Sequence, residues 1–277
     1  MIDPEKIRAL ALDLDGTLLA PGAVLTERAV KAVKGCMQRG LKIIIATGRA
    51  LEATERFRAA LGAEGPMIYF NGALVTVMPQ NEILSTTLLD KKAAEFCLDL
   101  SREMDVYCQM FIPGRDTAIT LMAEREAPGR TMYYNHTGIL AELTDLKILL
   151  RQTAFDGCFK SMFVAEPEIL DLLRPRLDKQ FGKSVYIART LRTFLEVMNA
   201  GVSKGQGLEV VMKHCSLQKE EVIAFGDEEN DIPLLAAAGF SVAPSSAQDA
   251  VKARADLVVA SNTDDGVAAF LEEFFKL

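Results

Sequence analysis

The feature that most constrains the fold is an alternation of short apolar segments with amphipathic segments at both ends of the chain. Up to residue 75 the apolar segments are "IRALAL", "LKIIIA" and "PMIYF". Such runs are typical of strands buried on both faces of a parallel sheet. Helical spacing between them predicts one helix from the N-cap Thr26 to about Arg39 and another from about Leu51 to Leu61. This order predicts a parallel sheet with right-handed crossovers.

The C-terminal third repeats this order, whereas the middle of the chain has a different pattern of apolar and polar residues. Apolar segments such as "EVIAF" and "FSVAP" predict further strands near the C-terminus, next to helices such as "DDGVAAFLEEFFKL". Residues 84–190 instead combine amphipathic helices with alternating strands, which predicts an α+β unit with an antiparallel sheet. With 277 residues the chain can form two domains. We therefore expect a core of residues 1–83 and 191–277, with residues 84–190 inserted.

Composition excludes several classes of protein. The net charge of −7 argues against a nucleic-acid or anionic-membrane surface. No apolar run approaches the roughly 18 residues of a membrane-spanning helix, and the N-terminus lacks a signal-peptide pattern, so a cytoplasmic location is expected. Five scattered cysteines indicate reduced thiols, and two distant histidines argue against zinc or a histidine triad. The sequence carries no signal for the oligomeric state.

Polar or glycine-containing turns follow four of the predicted strands. These turns are Asp13-Leu14-Asp15-Gly16-Thr17, Thr47-Gly48-Arg49, Asn71-Gly72 and Gly226-Asp227. Ligands of open α/β sheets bind beyond the carboxyl ends of the strands, so the turns are expected to line one site. Each turn alone is weak evidence, since most strands that end in Thr-Gly lead into ordinary loops. The run DLDGT is more specific, because a buried strand rarely ends in two acids, a glycine and a hydroxyl.

The expected site holds more negative than positive charge. Its carboxylates would be those of Asp13, Asp15, Asp227 and Asp231. Lys204 supplies one fixed positive charge, and Arg49 is a candidate for another. A desolvated site with this surplus needs a cation, and oxygen ligands without histidine or thiol favour Mg²⁺. Helix N-termini expected after Gly16, Gly48 and Ser203 would offer N–H groups to a phosphate.

In chain order, the segments DLDGT, TGR, GVSKG and GDEEND resemble the four motifs of the haloacid dehalogenase (HAD) superfamily of phosphohydrolases. Asn71-Gly72-Ala73, "SNTDDGVA" and the insertion between the second and third motifs resemble the Cof-type subgroup. The resemblance implies a Rossmann-like parallel-sheet core with an inserted α+β cap domain of the C2B type.

The resemblance also implies roles for individual residues. Asp13 would attack phosphorus and form an aspartyl-phosphate, while Asp15 would protonate the leaving oxygen and then activate water. Mg²⁺ would be held by the carboxylates of Asp13 and Asp227 and the main-chain carbonyl of Asp15, with Asp231 in support. The residues implied to bind the phosphate or substrate are Leu14, Gly16, Thr47, Gly48, Arg49, Asn71, Lys204 and Asn230. For Arg49 two interpretations stay open: it orients the substrate, or it pairs with an acid.

The expected function is a Mg²⁺-dependent phosphatase for small phosphomonoesters such as sugar phosphates, nucleotides or cofactor precursors. Two alternatives use the same pocket: a phosphotransferase or phosphomutase, and a non-catalytic sugar-phosphate sensor. Each motif by itself also has an ordinary interpretation. Lys204 could be a solvated lysine, Asp227 a helix-capping acid and Asn71 a turn residue. The phosphoryl site is favoured because all of them stand at the expected strand or helix ends in one order.

Overall fold

The computed structural model describes residues 2–114, 119–152 and 156–277. The chain divides into two compact units. The core unit contains the chain up to Thr86 together with Ser203–Leu277, and the inserted unit is Thr87–Val202.

The N-terminal part of the core unit contains five strands and two helices. They are β1 (Ala9–Leu12), α1 (Glu27–Gln38), β2 (Lys42–Ile45), α2 (Leu51–Leu61), β3 (Gly65–Tyr69), β4 (Leu74–Met78) and β5 (Glu82–Thr86). The two helices confirm the predicted ones. Thr26 caps α1, where its Oγ1 accepts a hydrogen bond of 3.0 Å from the N–H of Ala29.

The inserted unit is an α+β unit built on a six-stranded sheet. Its elements are β6 (Leu89–Asp90), α3 (Lys91–Glu103), β7 (Cys108–Pro113), β8 (Ile119–Ala123), α4 (Pro128–Thr137), β9 (Glu142–Leu143), α5 (Leu146–Arg151), β10 (Gly157–Cys158), β11 (Lys160–Val164), α6 (Pro167–Phe181), β12 (Val185–Leu191) and β13 (Phe194–Asn199). The sheet order is β12-β13-β11-β7-β8-β9, and its pairs are antiparallel except β8 with β9. Met110 and Phe163 of this sheet pack against Leu98 of α3 and Leu173 of α6.

The C-terminal part of the core unit completes a parallel sheet. Its elements are α7 (Lys204–Cys215), β14 (Val222–Phe225), α8 (Ile232–Ala237), β15 (Phe240–Pro244), α9 (Asp249–Lys252), β16 (Leu257–Val259) and α10 (Gly266–Phe275). The strand order is β16-β15-β14-β1-β2, and every pair is parallel. A parallel bridge between Ala46 and Ile68 joins β3 to β2, after which β3, β4 and β5 pair antiparallel.

Helices cover both faces of the parallel sheet, which explains why its strands are apolar throughout. Ala11 of β1 and Ile44 of β2 belong to a buried cluster with Leu208 of α7. Phe225 of β14 packs on Phe270 of α10, with ring centroids 5.8 Å apart. The predicted fold class, a parallel-sheet α/β core with an inserted α+β unit, is confirmed.

The division into units differs from the expected boundaries after residues 83 and 190. Residues 84–86 belong to β5, which pairs with β4 in the core unit. The second expected boundary falls inside the β12–β13 hairpin. Because β13 also pairs with β11, it belongs to the sheet of the inserted unit, and the core unit resumes at Ser203.

Lys160 of β11 and Glu196 of β13 form a buried ion pair within the inserted unit. Their Nζ and Oε1 atoms are 2.6 Å apart, and only 3% of each side chain is exposed. Lys160 Nζ also lies 4.8 Å from the centroid of the Phe111 ring. Glu196 Oε2 has no hydrogen-bond partner among the described residues. Glu196 thus depends on one lysine to balance its charge.

Removal of that lysine is expected to destabilise the protein. Lys160→Met leaves a buried carboxylate unpaired and should lower the free energy of unfolding by about 3–5 kcal/mol, measured by urea unfolding. The double variant Lys160→Met/Glu196→Leu should recover most of the loss. The exposed pair of Lys147 and Asp99 supplies the control, since Lys147→Met should cost no more than about 1 kcal/mol. Similar losses in both single variants would contradict the expectation.

Two further observations concern the chain as a whole. Cys36, Cys97, Cys108 and Cys158 are buried free thiols, and Cys215 is a partly exposed one. Within the described ranges, no helix is both long enough and apolar enough to cross a bilayer.

Candidate active site

The site begins where the central strands of the parallel sheet end. Asp13 directly follows β1, and its N–H continues the strand pairing by donating to the carbonyl of Phe225 at 3.1 Å. Thr47 and Asp227 lie just beyond the ends of β2 and β14. The structure therefore brings these residues to the same edge of the sheet, as the sequence predicted.

Lys204 lies at the start of α7 and joins two aspartates. Its Nζ donates to Asp13 Oδ1 at 2.5 Å and to Asp231 Oδ1 at 2.6 Å. Ser203 caps the helix, with its Oγ accepting from the N–H of Gln206 at 3.1 Å. The lysine side chain is 1% exposed, so a solvated surface lysine is excluded.

Three buried carboxylates gather around this lysine. Those of Asp13, Asp227 and Asp231 offer oxygen atoms that all lie within 4.8 Å of one another. Thr17 Oγ1 donates to Asp227 Oδ1 at 2.6 Å. Asp231 Oδ2 accepts from the N–H groups of Asp227 and Glu228 at 3.0 and 3.1 Å. We call this group the aspartate cluster.

The charges in the aspartate cluster are not balanced. Burial, followed by repulsion from Asp231, raises the pKa of Asp13 well above its usual value. Burial also raises the pKa of Asp227 to about 7, although the Thr17 hydrogen bond opposes this. Burial acts to lower the pKa of Lys204, but Asp13 and Asp231 outweigh it and keep the ammonium form. Carboxylate oxygens without a histidine or thiol among them fit a hard divalent cation such as Mg²⁺.

Asp15 does not add its carboxylate to the aspartate cluster. Its two oxygens accept from Nε and an Nη of Arg49, each at 2.6 Å. The Asp15 side chain is 52% exposed and that of Arg49 is 10% exposed. Of the two interpretations of Arg49, the structure therefore shows pairing with an acid.

A tight turn separates Asp15 from the aspartate cluster. Gly16 has a φ of +78°, and a Cβ at this position would lie 2.1 Å from Asp227 Oδ2. Glycine is therefore required both by the backbone conformation and by the space that Asp227 occupies.

One expectation about helix ends is wrong. Residues 16–24 form turns and short bridges, and α1 begins only at Glu27. After Gly48, α2 begins at Leu51, whereas α7 directly follows Ser203. After Gly16 the chain instead folds back, with the N–H groups of Thr17 and Leu19 both donating to the carbonyl of Leu14 and with Leu18 and Leu19 buried.

The turn after β3 has three consecutive residues with positive φ. The φ angles of Phe70, Asn71 and Gly72 are 49°, 55° and 98°. A Cβ on Gly72 would lie 2.2 Å from the carbonyl oxygen of Ser203, so only glycine fits against the start of α7. Two non-glycine residues in the left-handed region are strained, which is typical of functional sites.

This turn holds Asn71 among the other strand ends. Asn71 is 1% exposed, and its N–H donates to the carbonyl of Thr47 at 3.0 Å. Its Oδ1 accepts from Asn230 Nδ2 at 2.9 Å. The structure therefore brings Thr47, Asn71 and Asn230 together, as the sequence predicted, and Asn71 is more than a turn residue.

The remaining predicted residues lie in the same turns. Thr47 is buried, and its Oγ1 accepts from the N–H of Arg49 at 3.1 Å. A Cβ on Gly48 would lie 3.1 Å from Asn71 Oδ1, so the amide of Asn71 packs over this glycine. Leu14 buries its side chain, and its carbonyl accepts from the N–H groups of Thr17 and Leu19.

Thr17 is a site residue that the sequence-based selection left out. Its hydroxyl, at the end of the DLDGT run, is the side-chain donor to Asp227. The signal was present, since a hydroxyl follows the acids and the glycine directly.

A parallel α/β sheet with clustered aspartates and a buried lysine at its carboxyl edge defines the class of protein, an enzyme that acts on phosphoryl groups. Residues 10–271 match the family described as haloacid dehalogenase-like hydrolase. The chain belongs to this family. The predicted family is thereby confirmed.

Proteins of similar sequence or structure align with nearly the whole chain. The 5-amino-6-(5-phospho-D-ribitylamino)uracil phosphatase YitU of Bacillus subtilis is 27% identical over 278 residues, which cover 97% of both chains. The pyridoxal phosphate phosphatase YbhA of Escherichia coli is 29% identical, over 95% of this chain and 97% of its own. A haloacid dehalogenase-like hydrolase from Bacteroides thetaiotaomicron shares the fold with a TM-score of 0.86 at 23% identity, covering 97% of this chain and 100% of that one.

Proposed function

We propose that this enzyme is a Mg²⁺-dependent phosphatase that hydrolyses small phosphomonoesters through an aspartyl-phosphate on Asp13. The observation that carries the proposal is the buried lysine bonded to two aspartates at the carboxyl edge of the sheet. Membership of the haloacid dehalogenase-like hydrolases supports the reaction type. A reducing, cytoplasmic location agrees with the free cysteines.

In the first half of the reaction, a carboxylate oxygen of Asp13 attacks phosphorus. A bond forms between this oxygen and phosphorus, and the bond from phosphorus to the alcohol oxygen breaks. The alcohol oxygen keeps the electron pair and takes a proton from the carboxyl group of Asp15. Arg49 holds both oxygens of Asp15 and thereby fixes their orientation.

In the second half, Asp15 acts as a base. Its carboxylate takes a proton from water, the water oxygen bonds to phosphorus, and the bond between phosphorus and Asp13 breaks. Inorganic phosphate and the free Asp13 carboxylate result. One pair of carboxyl groups therefore performs both halves of the reaction, with the proton balance restored at the end.

The charge of the transferring group is neutralised from several sides. Lys204 provides a buried ammonium, and Thr47, Asn71 and Asn230 provide polar side chains. The N–H groups of Leu14, Gly16 and Gly48 complete the proposed phosphate-binding set, while Arg49 pairs with Asp15. Fixed donors of this kind are worth more in a buried site than in water.

The aspartate cluster fits a magnesium ion, as the carboxylate surplus indicates. The carboxylates of Asp13 and Asp227 and the carbonyl of Asp15 would hold it, while Asp231 orients Lys204 and the backbone at Asp227. When bound, the ion adds positive charge next to the phosphoryl oxygens and the nucleophile.

The proposed substrates are small phosphorylated metabolites. The named relatives are phosphatases for a phosphorylated ribitylaminouracil and for pyridoxal phosphate. A net charge of −7 gives no support to nucleic acid as the substrate. The class of substrate, rather than one compound, is therefore the proposal.

The proposed function is tested by phosphate release from a panel of sugar phosphates, nucleotides, pyridoxal phosphate and phosphorylated pyrimidines with Mg²⁺. Free alcohol and inorganic phosphate should appear in equal amounts, and a chelator should stop the reaction. A phosphomutase would instead return the phosphoryl group to a sugar without net phosphate. A sensor would bind a phosphoester and release neither product. Full activity in chelator would exclude the proposed role of Mg²⁺.

Magnesium should also stabilise the folded protein, which gives a measurement independent of turnover. At a free concentration of 100 Kd, an ion that binds only the folded state adds about 2.7 kcal/mol of stability. A thermal-unfolding series should thus show Tm rising with Mg²⁺. Asp227→Asn is the matched variant, because an amide oxygen can still accept from Thr17 Oγ1 but carries no charge. An equal rise in both proteins would place the ion elsewhere.

A further inference from the structure

The backbone folds back on itself just after Asp15. The N–H of Leu19 donates to the carbonyl of Leu14 at 2.8 Å, which makes a bridge between Asp15 and Leu19. Further along, Ala20 and Val24 exchange two backbone hydrogen bonds of 2.9 and 3.2 Å. Leu19 is therefore bonded directly to the backbone beside Asp15. We call residues 14–24 the acid loop.

Asn262 holds the acid loop from outside. It lies in a single 3-10 turn, Asn262–Asp264, shortly after β16. Its Nδ2 donates to the carbonyl of Leu19 at 2.9 Å, and its Oδ1 accepts from Ser246 Oγ at 2.9 Å. Because both ends of the amide are used, the side chain has one orientation. It links the acid loop to the loop after β15.

The same C-terminal segment also holds the end of the stretch between β1 and α1. Asp265 Oδ1 accepts from Thr26 Oγ1 at 2.6 Å, and Thr26 caps α1. A Cβ on Gly266 would lie 1.8 Å from the carbonyl oxygen of Ala260, so the segment turns too tightly for any other residue. Asn262 and Asp265 therefore belong to one tight turn. They contact the segment between β1 and α1 at Leu19 and at Thr26.

The nucleophile is held differently from the acid loop. Asp13 is fixed by strand pairing to Phe225 and by the buried Lys204. Asp15 has a half-exposed side chain paired with Arg49, and its backbone is bridged to Leu19 within the acid loop. A disturbance at Leu19 should therefore displace Asp15 much more than Asp13.

We propose that Asn262 is a positioning residue for Asp15, acting through the carbonyl of Leu19. This inference rests on the proposed function, in which Asp15 protonates the leaving oxygen. Displacement of a catalytic group by about 1 Å can cost on the order of 10²-fold in rate. Loss of the Asn262 hydrogen bond should therefore impair protonation of the leaving group and spare the attack by Asp13.

The test compares two leaving groups in Asn262→Ala. With an alkyl phosphate, whose alkoxide needs a proton, kcat/KM, which reports only the steps up to release of the alcohol, should fall by about 10-fold or more. With p-nitrophenyl phosphate, whose phenolate leaves without one, kcat/KM should fall less than about threefold, whereas kcat should fall for both substrates where hydrolysis of the aspartyl-phosphate limits turnover. Asn262→Asp should behave in the same way, because a carboxylate cannot donate to the carbonyl of Leu19.

Two controls isolate the hydrogen bond to Leu19. Ser246→Ala removes the shorter of two hydrogen bonds to Oδ1, the other being from Ser261 Oγ at 3.4 Å, and leaves the donation by Nδ2, so its loss should be smaller than that of Asn262→Ala. Asp265→Asn keeps an acceptor for Thr26 and should leave both rates unchanged. Amide hydrogen exchange in residues 14–24 should become faster in Asn262→Ala and stay unchanged in Asp265→Asn.

Each outcome separates this inference from the proposed function. A wild-type enzyme without phosphatase activity would overturn the proposed function and, with it, the role given to Asn262. An active wild type in which Asn262→Ala lowers kcat/KM equally for both leaving groups, or not at all, would overturn only the inference. If Asn262→Ala fails to fold, Asn262→Asp supplies the kinetic comparison, and an unchanged leaving-group ratio there overturns the inference.

Discussion

Asp13→Asn is expected to reduce turnover to background, a loss on the order of 10⁴-fold or more, or roughly 5 kcal/mol of transition-state stabilisation. An amide cannot attack phosphorus to form the aspartyl-phosphate, and no other carboxylate takes its place. Asp231 also accepts a hydrogen bond from Lys204, but its second oxygen already accepts from two backbone N–H groups. The loss should be equal for alkyl and aryl phosphates, measured as phosphate release.

The fold should tolerate this substitution. An asparagine oxygen can still accept from Lys204, and the removal of one buried negative charge relieves repulsion within the aspartate cluster. Asp249→Asn is the matched control, since the Asp249 side chain is fully exposed and its rate should be unchanged. Residual turnover above about one part in a hundred would mean that Asp13 is not the nucleophile.

Asp15→Asn should have an effect that depends on the leaving group. The nucleophile and the main-chain carbonyl at residue 15 remain, but the proton donor is lost. With an alkyl phosphate the rate should fall by roughly 10²- to 10⁴-fold, the range typical of general acid–base catalysis. With p-nitrophenyl phosphate the first step should be less impaired, while hydrolysis of the intermediate becomes slow.

That difference makes the intermediate observable. Mass spectrometry of Asp15→Asn quenched during turnover of p-nitrophenyl phosphate should show a phosphate adduct on the peptide that contains Asp13. The double variant Asp13→Asn/Asp15→Asn should show none. An adduct on another residue, or equal losses with both leaving groups and no adduct, would refute the assigned roles.

The sequence predicted the sheet and its site because both depend on local patterns. Strands buried on both faces must be apolar throughout, so β1, β2 and β14 were recognisable, and the polar residues after them had to meet at one edge. Lys204 and Asp231 could then be assigned to that edge from their positions beside α7 and β14. The roles of these residues in catalysis remain predictions.

What could not be predicted depends on contacts between distant segments. Nothing in the sequence of the strand β13 assigns it to either unit, and only its pairing with β11 and β12 places it in the inserted unit. The partner of Arg49 is set by the approach of two turns, so the sequence left its role open. The helix start predicted after Gly16 was wrong for a different reason. A glycine followed by apolar residues is compatible with a helix start and also with the inward turn that the acid loop makes.

The position of β1 between β2 and β14 has a consequence for the growing chain on the ribosome. Thr17 and Asp227 are hydrogen-bonded although they are 210 residues apart in sequence. The nascent protein therefore exposes one edge of β1 until β14 has been synthesised, by which time the inserted unit, Thr87–Val202, is complete. Pairings this distant form late, because the intervening chain must first be closed into a loop. The aspartate cluster is consequently assembled only after Asp227 and Asp231 have been synthesised.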